Sequence, residues 1–175
     1  HFPGGPVEVE VRTTTKQSYP VTLAWSCRTR TPNSSPECPI HLETRLAQPH
    51  CQEGDTLRLD LTVKNRAEQP QGMVVAIVGL PAGMKLPDDR KQLKQLTEQP
   101  VDGSEPTVSY WETRGRELIL YWRGMKPRQS VSVPIDLIAD VPGEYTAPAS
   151  RAYLYYNADH KHWVAPARVS IRPGQ

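Results

Sequence analysis

The chain has 175 residues, with 21 Lys plus Arg against 19 Asp plus Glu and a formal net charge of +2. That length fits one ordinary domain with a hydrophobic core, or one domain plus a small appendage, and excludes a large multidomain enzyme. The basic residues are scattered, which removes the electrostatic support for nucleic-acid binding, and no run reaches the roughly 18 to 20 apolar residues that span a bilayer.

Apolar residues make up 37% of the chain and come in short blocks, while 18 prolines and 11 glycines gather between them. Turn clusters such as Pro3-Gly4-Gly5-Pro6, Pro70-Gln71-Gly72, Pro81-Ala82-Gly83 and Pro142-Gly143 punctuate the chain at the spacing of an all-β sandwich. The sequence opens on His-Phe-Pro, without an initiator Met or a signal-peptide pattern, and is expected to be a segment of a larger precursor.

Val7-Glu8-Val9-Glu10-Val11 alternates with period two, and Pro20 to Trp25 follows a polar turn. Residues 7 to 29 therefore read as a hairpin, which cannot make a core alone and has to join a neighbouring sheet. Residues 31–39 are rich in Pro and Ser and lack periodicity; they are expected to link a terminal piece, 1–30, to a sandwich domain over 40–175.

From residue 40 the apolar blocks predict about eight strands. Leu57 to Val63 alternates apolar and polar, as a half-exposed strand does, and Met73 to Val78 is continuously apolar, as a central strand covered on both faces does. The others fall at Ile40–Leu46, Val108–Glu112, Leu118–Trp122, Val131–Ile138, Ala152–Tyr156 and Val164–Ile171, with antiparallel pairing through short turns.

One segment breaks the pattern. Pro87 suits a first helical position, Asp88 and Asp89 suit the positive end of a helix, and Pro100 stops the run, so a single α-helix is expected over 87–98. Leu86, Leu93 and Leu96 fall on the side that packs on the sandwich. Arg90 and Lys94 share another face with Lys91 beside them, either as a merely solvated surface or as a contact surface.

No Gly-x-Ser-x-Gly elbow, phosphate-cradling Gly-Lys-Ser/Thr loop or His-Glu-x-x-His occurs, so no catalytic residue and no cofactor is implied. His160 and His162 in Asn157-Ala-Asp-His-Lys-His-Trp163 form a His-x-His pair on what reads as a turn. A metal there needs a third ligand from afar, such as His41 or His50; the ordinary reading is a hydrogen-bonded corner. Tyr153, Tyr155, Tyr156 and Trp163 are expected mostly to pack in the core, with any outward members offering contact surface. Cys27, Cys38 and Cys51 are an odd set: a disulfide between Cys27 and Cys38 and three unrelated thiols are both compatible with the spacing. Asn33-Ser34-Ser35 is a formal N-glycosylation acceptor.

Two stretches carry a family likeness: Gly72-Met-Val-Val-Ala-Ile-Val-Gly-Leu-Pro-Ala-Gly-Met84 leading into the helix, and Pro142-Gly-Glu-Tyr-Thr-Ala-Pro-Ala-Ser-Arg-Ala-Tyr-Leu-Tyr-Tyr156. Their order over residues 40 to 172 resembles the C-terminal receptor-binding domain of alpha-macroglobulins, including bacterial-type members. The upstream hairpin is similar to the last strands of the CUB-like domain that precedes it. The resemblance implies a non-catalytic interaction domain of a secreted or periplasmic protease inhibitor, packed on other domains of its parent chain and meeting proteases only through that parent. It places Arg90 and Lys94 where animal members carry the lysine pair that docks on a receptor, with Lys91 beside them as further contact surface. An acidic pocket built for an ammonium is not equally suited to the guanidinium of Arg90. Cys51-Gln52-Glu53-Gly54 has the letters of the family's Cys-Gly-Glu-Gln thioester in another order and does not form that ring. The alternative is a purely structural β-sandwich spacing other domains of a surface or envelope protein.

Overall fold

The structure, a computed structural model, describes residues 8–14, 16–24, 29–101, 103 and 105–174. Twelve strands and one helix are formed among them. In chain order they are β1 (Ile40–Leu46), β2 (His50–Gln52), β3 (Thr56–Asn65), β4 (Gln71–Gly79), β5 (Met84–Lys85), α1 (Lys91–Thr97), β6 (Tyr110–Arg114) and β7 (Glu117–Met125). The remainder are β8 (Ser130–Ala139), β9 (Gly143–Thr146), β10 (Ser150–Leu154), β11 (Asn157–Val164) and β12 (Arg168–Arg172). A four-stranded sheet in the order β1-β3-β8-β5 faces a five-stranded sheet in the order β11-β10-β4-β7-β6, and β2-β12-β9 form a small third sheet. Pairing is antiparallel throughout except between β2 and β12. This is the all-β sandwich with one inserted helix that the strand periodicity predicts.

The alternation of β3 sends Leu57, Leu59, Leu61 and Val63 into the core and Arg58, Asp60 and Lys64 to solvent. Central strand β4 is covered on both faces, as its continuous apolar run requires. Val74, Ala76 and Val78 join the main core with Leu118, Leu120, Trp122 and Ala152, whereas Val75 and Ile77 form a second cluster with Ile119 on the outer side. Trp122 keeps its indole N–H satisfied by donating to the Thr107 carbonyl at 2.7 Å.

Leu86 and Leu93 are buried beneath α1, and Leu96 packs partly against the same core. A pair of hydrogen bonds fastens the helix: the Gln92 amide donates to the Asp136 carbonyl and accepts the Asp136 N–H, both at 2.8 Å. The side-chain amide thus continues along β8 the ladder that β5 makes at Ile138 and Ala139.

Three expectations are corrected. The helix starts at Lys91, because Arg90 takes a left-handed conformation (φ 53°) after a turn in which its N–H donates to the Pro87 carbonyl. Residues 157–163 are not a turn but most of strand β11. The hairpin expected over 7–29 is absent from its described part: residues 8–14 and 16–24 form no strand, and Val9, Val11, Val21 and Leu23 are all more than half exposed. Its alternation has no sheet here to bury its apolar side.

The segment expected as a linker is bonded to β11. Ser34 Oγ accepts the Trp163 N–H at 2.8 Å and donates to the Trp163 carbonyl, and the Ser35 N–H donates to the Lys161 carbonyl at 2.9 Å. Residues 34–38 are a strap laid antiparallel along β11. Cys38, a free thiol, donates to the carbonyls of Ile40 and Ala152, and burial pushes its pKa up. Cys51 is also free, while Cys27 lies outside the described residues.

Candidate interaction surface

Helix α1 brings together only part of the basic trio. Lys91 and Lys94 are exposed, whereas Arg90 is half-buried, and its Nη1 is fully covered with no hydrogen-bond partner among the described residues. Asp89 accepts the Lys91 N–H at 3.1 Å and pairs with the Lys91 ammonium at 3.2 Å. Those two bonds, with the charge of Lys94 behind them, hold the Asp89 carboxyl below the usual carboxylate range. Lys94 is the freer cation at the helix surface. Periodicity placed Arg90 and Lys94 on one helical face; the left-handed turn at Arg90 separates them.

His160 and His162 lie two residues apart on β11 but are engaged separately. His160 bonds Ser35 Oγ through Nδ1 and the Glu37 carboxylate through Nε2, each at 2.9 Å, and so fastens the strap. His162 accepts the Leu42 N–H on its Nδ1 at 3.3 Å, which puts its proton on Nε2. Its ring centroid lies 4.0 Å from that of His41, one of the two distant partners named from the sequence. Among the described residues no group of three or more His, Cys, Asp or Glu side chains is placed to hold a metal ion.

The His162 contact joins the edge strands β1 and β11, which belong to opposite sheets. Burial, then the neighbouring charges of His41 and Arg66, push the His162 pKa down from 6.5, against a smaller opposing pull from Glu43. A folded-state pKa below the unfolded one means that unfolding takes up a proton, so stability rises with pH in that window. The His162 contribution is complete above the unfolded value near 6.5 and is lost as pH falls through the lower folded value. Urea unfolding at pH 7.5 and pH 5 should show wild type losing stability at the lower pH, with a smaller loss in His162→Gln. Equal losses in both proteins would assign the pH dependence elsewhere.

The aromatic residues expected mostly in the core face outward instead. Cross-strand register lines up Lys161, Tyr153, Val75, Tyr121 and Tyr110 in one row across the five-stranded sheet, and Trp163, Arg151, Ile77, Ile119 and Glu112 in the next. Arg151 lies over Trp163, Lys161 over Tyr153, and Arg151 pairs with Glu117 at 2.7 Å. Tyr121 donates to Glu112, and burial together with that carboxylate pushes its phenol up to about 12. Tyr155 and Tyr156 stand exposed at the β10–β11 turn in an edge-to-face pair. Residues of these types are enriched where proteins meet.

No family model and no curated protein matches the chain. Solved structures do. Native alpha-2-macroglobulin from Escherichia coli, spanning domain MG7 to the C-terminus, superposes with a TM-score of 0.61 at 17% identity over 81% of this chain. The fold is that of a domain from the C-terminal region of bacterial alpha-2-macroglobulins. Trypsin-activated E. coli alpha-2-macroglobulin gives 0.61 at 16% identity over 83% of the chain, and the Salmonella alpha-2-macroglobulin mutant Y1175G gives 0.60 at 17% over 81%. The chain spans 25%, 11% and 10% of those three alpha-2-macroglobulin chains respectively. The RrgA Jo.In complex is a more distant likeness, with a TM-score of 0.51 at 9% identity over 74% of this chain and 78% of that one. Among the described residues no helix is long and apolar enough to cross a membrane.

Proposed function

We propose that the chain is a non-catalytic interaction domain of an alpha-macroglobulin-like protease inhibitor that is secreted or periplasmic, and that it contacts neighbouring domains of its parent, or a receptor, through α1. The likeness of fold to alpha-2-macroglobulin C-terminal regions carries the reading. The solvent-facing Lys91 and Lys94, on the only helix among the described residues, support α1 as the contact. Half-buried Arg90 lies beside them at the helix start as a further contact residue. Residues 1–30 fit a terminal piece of a CUB-like neighbour: their alternating pattern is written for a sheet, and exposed Val9, Val11 and Val21 join none among the described residues. Proteases would be met only through the parent protein.

The test is charge reversal at the exposed pair, sparing half-buried Arg90. Lys91→Glu with Lys94→Glu should weaken binding of the chain to the remaining parent domains, or to an isolated receptor, by tenfold or more, since interfacial charge reversal sets like charges against each other. Calorimetric titration reads the affinity and a thermal melt confirms the fold. Unchanged affinity in a folded double variant removes α1 from the interface.

A further inference from the structure

The two long sheets leave their margins in different states. The strap covers β11, but part of β8 stays bare. Strand β5 pairs with β8 only at Ile138 and Ala139, and the Gln92 amide takes both main-chain groups of Asp136. Backbone groups in a strand alternate direction, so Pro134, Ser132 and Ser130 point their main-chain groups the same way as Asp136, away from β3. Among the described residues nothing bonds Ser132 on that side, and Ser130, Ser132 and Pro134 are exposed.

This bare length opens into a groove of about 1050 Å³. One wall is the end of β7 at Arg123 to Lys126, and the other is the loop between α1 and β6. Half-buried Val131 supplies apolar surface, with the covered Trp122 and Met125 forming the floor behind it, while Arg123 and Lys126 outnumber the one carboxylate, Glu105. An open strand edge beside an apolar floor with a basic wall suits a segment whose side chains alternate between apolar and acidic.

We propose that the edge of β8 over Ser130–Pro134 is a strand-addition site for an extended peptide with alternating apolar and acidic residues. Main-chain hydrogen bonds to Ser132 hold the guest strand. One row of its side chains lies on Trp122 and Val131, and its carboxylates face Arg123 and Lys126. The site is separate from α1 and stands whether or not the helix is an interface.

The chain itself contains a sequence of this pattern, Val7-Glu8-Val9-Glu10-Val11-Arg12-Thr13, and a synthetic peptide of those seven residues is the probe. Fluorescence anisotropy with the full chain should show saturable binding that weakens about tenfold in Ser132→Pro, the loss expected for about 1.4 kcal/mol of main-chain bonding. Proline is tolerated at a sheet edge and already occupies residue 134, so the variant removes one donor and leaves the β3 pairing in place. Lys126→Glu should weaken binding and flatten its salt dependence. A peptide N-methylated on its edge-facing amides tests the same bonds without altering the protein. Equal affinity for the plain and N-methylated peptides, or for wild type and folded Ser132→Pro, overturns the proposal, as does the absence of saturable binding.

Discussion

Replacing Gly79 with alanine is expected to be among the most damaging single changes in the sandwich, lowering stability by about 3 kcal/mol, at the upper end of the usual overpacking range. At the end of β4, a Cβ on Gly79 would sit 1.9 Å from the Pro148 carbonyl oxygen and 2.7 Å from its carbon. The obstacle is backbone, so no side-chain rotation relieves it. The site is also fixed from the other direction: the Gly79 N–H donates to the buried hydroxyl of Ser150 at 3.1 Å, and Ser150 begins β10. Moving the 148–150 segment away would break that bond and disturb the β4–β10 ladder. A domain of this size loses roughly 2–4 °C in melting temperature per kcal/mol, so a drop of about 10 °C is expected by calorimetry. Gly72→Ala, at the other end of β4, is the internal control. Its Cβ would meet only the Arg123 carbonyl oxygen, at an ordinary 3.8 Å, and the variant should melt within about 2 °C of wild type.

Asn65→Leu is expected to cost as much or more. Asn65 is fully buried at the end of β3, and its amide donates to the carbonyls of Gln69 and Lys126 at 2.9 Å and of Met125 at 3.4 Å. Its own side-chain oxygen accepts the Ala67 N–H at 3.0 Å. One side chain therefore ties the β3–β4 turn to the β7–β8 turn, each of which crosses from one sheet to the other. Leucine leaves those backbone groups in place without partners, at about 1–3 kcal/mol for each that water cannot reach. A total of about 3–5 kcal/mol is expected from urea unfolding. A loss below 1 kcal/mol would mean that the turns close without the amide.

Neither Gly79 nor Asn65 stands out in the sequence, and the reason is physical. Periodicity reports which face of a strand seeks burial, which is why Leu57 to Val63 and Met73 to Val78 were legible as the half-covered and the twice-covered strand. It says nothing of a contact between residues 60 or 71 positions apart, such as Asn65 with Met125 or Gly79 with Ser150. Strand β11 escaped notice for a related reason. It is an outer strand whose residues are all exposed or half-buried, so its sequence carries no apolar alternation. The converse holds at the N-terminus, where alternation is clear but no sheet receives it.

The layout of the proposed contact residues was half legible. Composition and position picked out Lys91 and Lys94, which are exposed. They could not reveal that Arg90 adopts φ 53° and turns its guanidinium inward, because the helix start read from Pro87 lies four residues before the real one. The likeness drawn from Gly72 to Met84 and from Pro142 to Tyr156 pointed to a fold that the superposition on alpha-2-macroglobulin bears out. The outer tyrosine row was missed: the sequence around Tyr153 did not show which side of the sheet it takes. Only the register with Val75 and Tyr121 does.

The strap along β11 also sets an order of events in folding. Ser34 and Trp163 are 129 residues apart in the chain, so their bonds form only after nearly the whole sandwich has been threaded into register. Contacts made that late are absent from the folding transition state, and losing them accelerates unfolding while leaving the folding rate unchanged. In stopped-flow measurements Ser34→Ala should therefore raise only the unfolding limb. The strap is then a kinetic lock, holding a sandwich that has already folded.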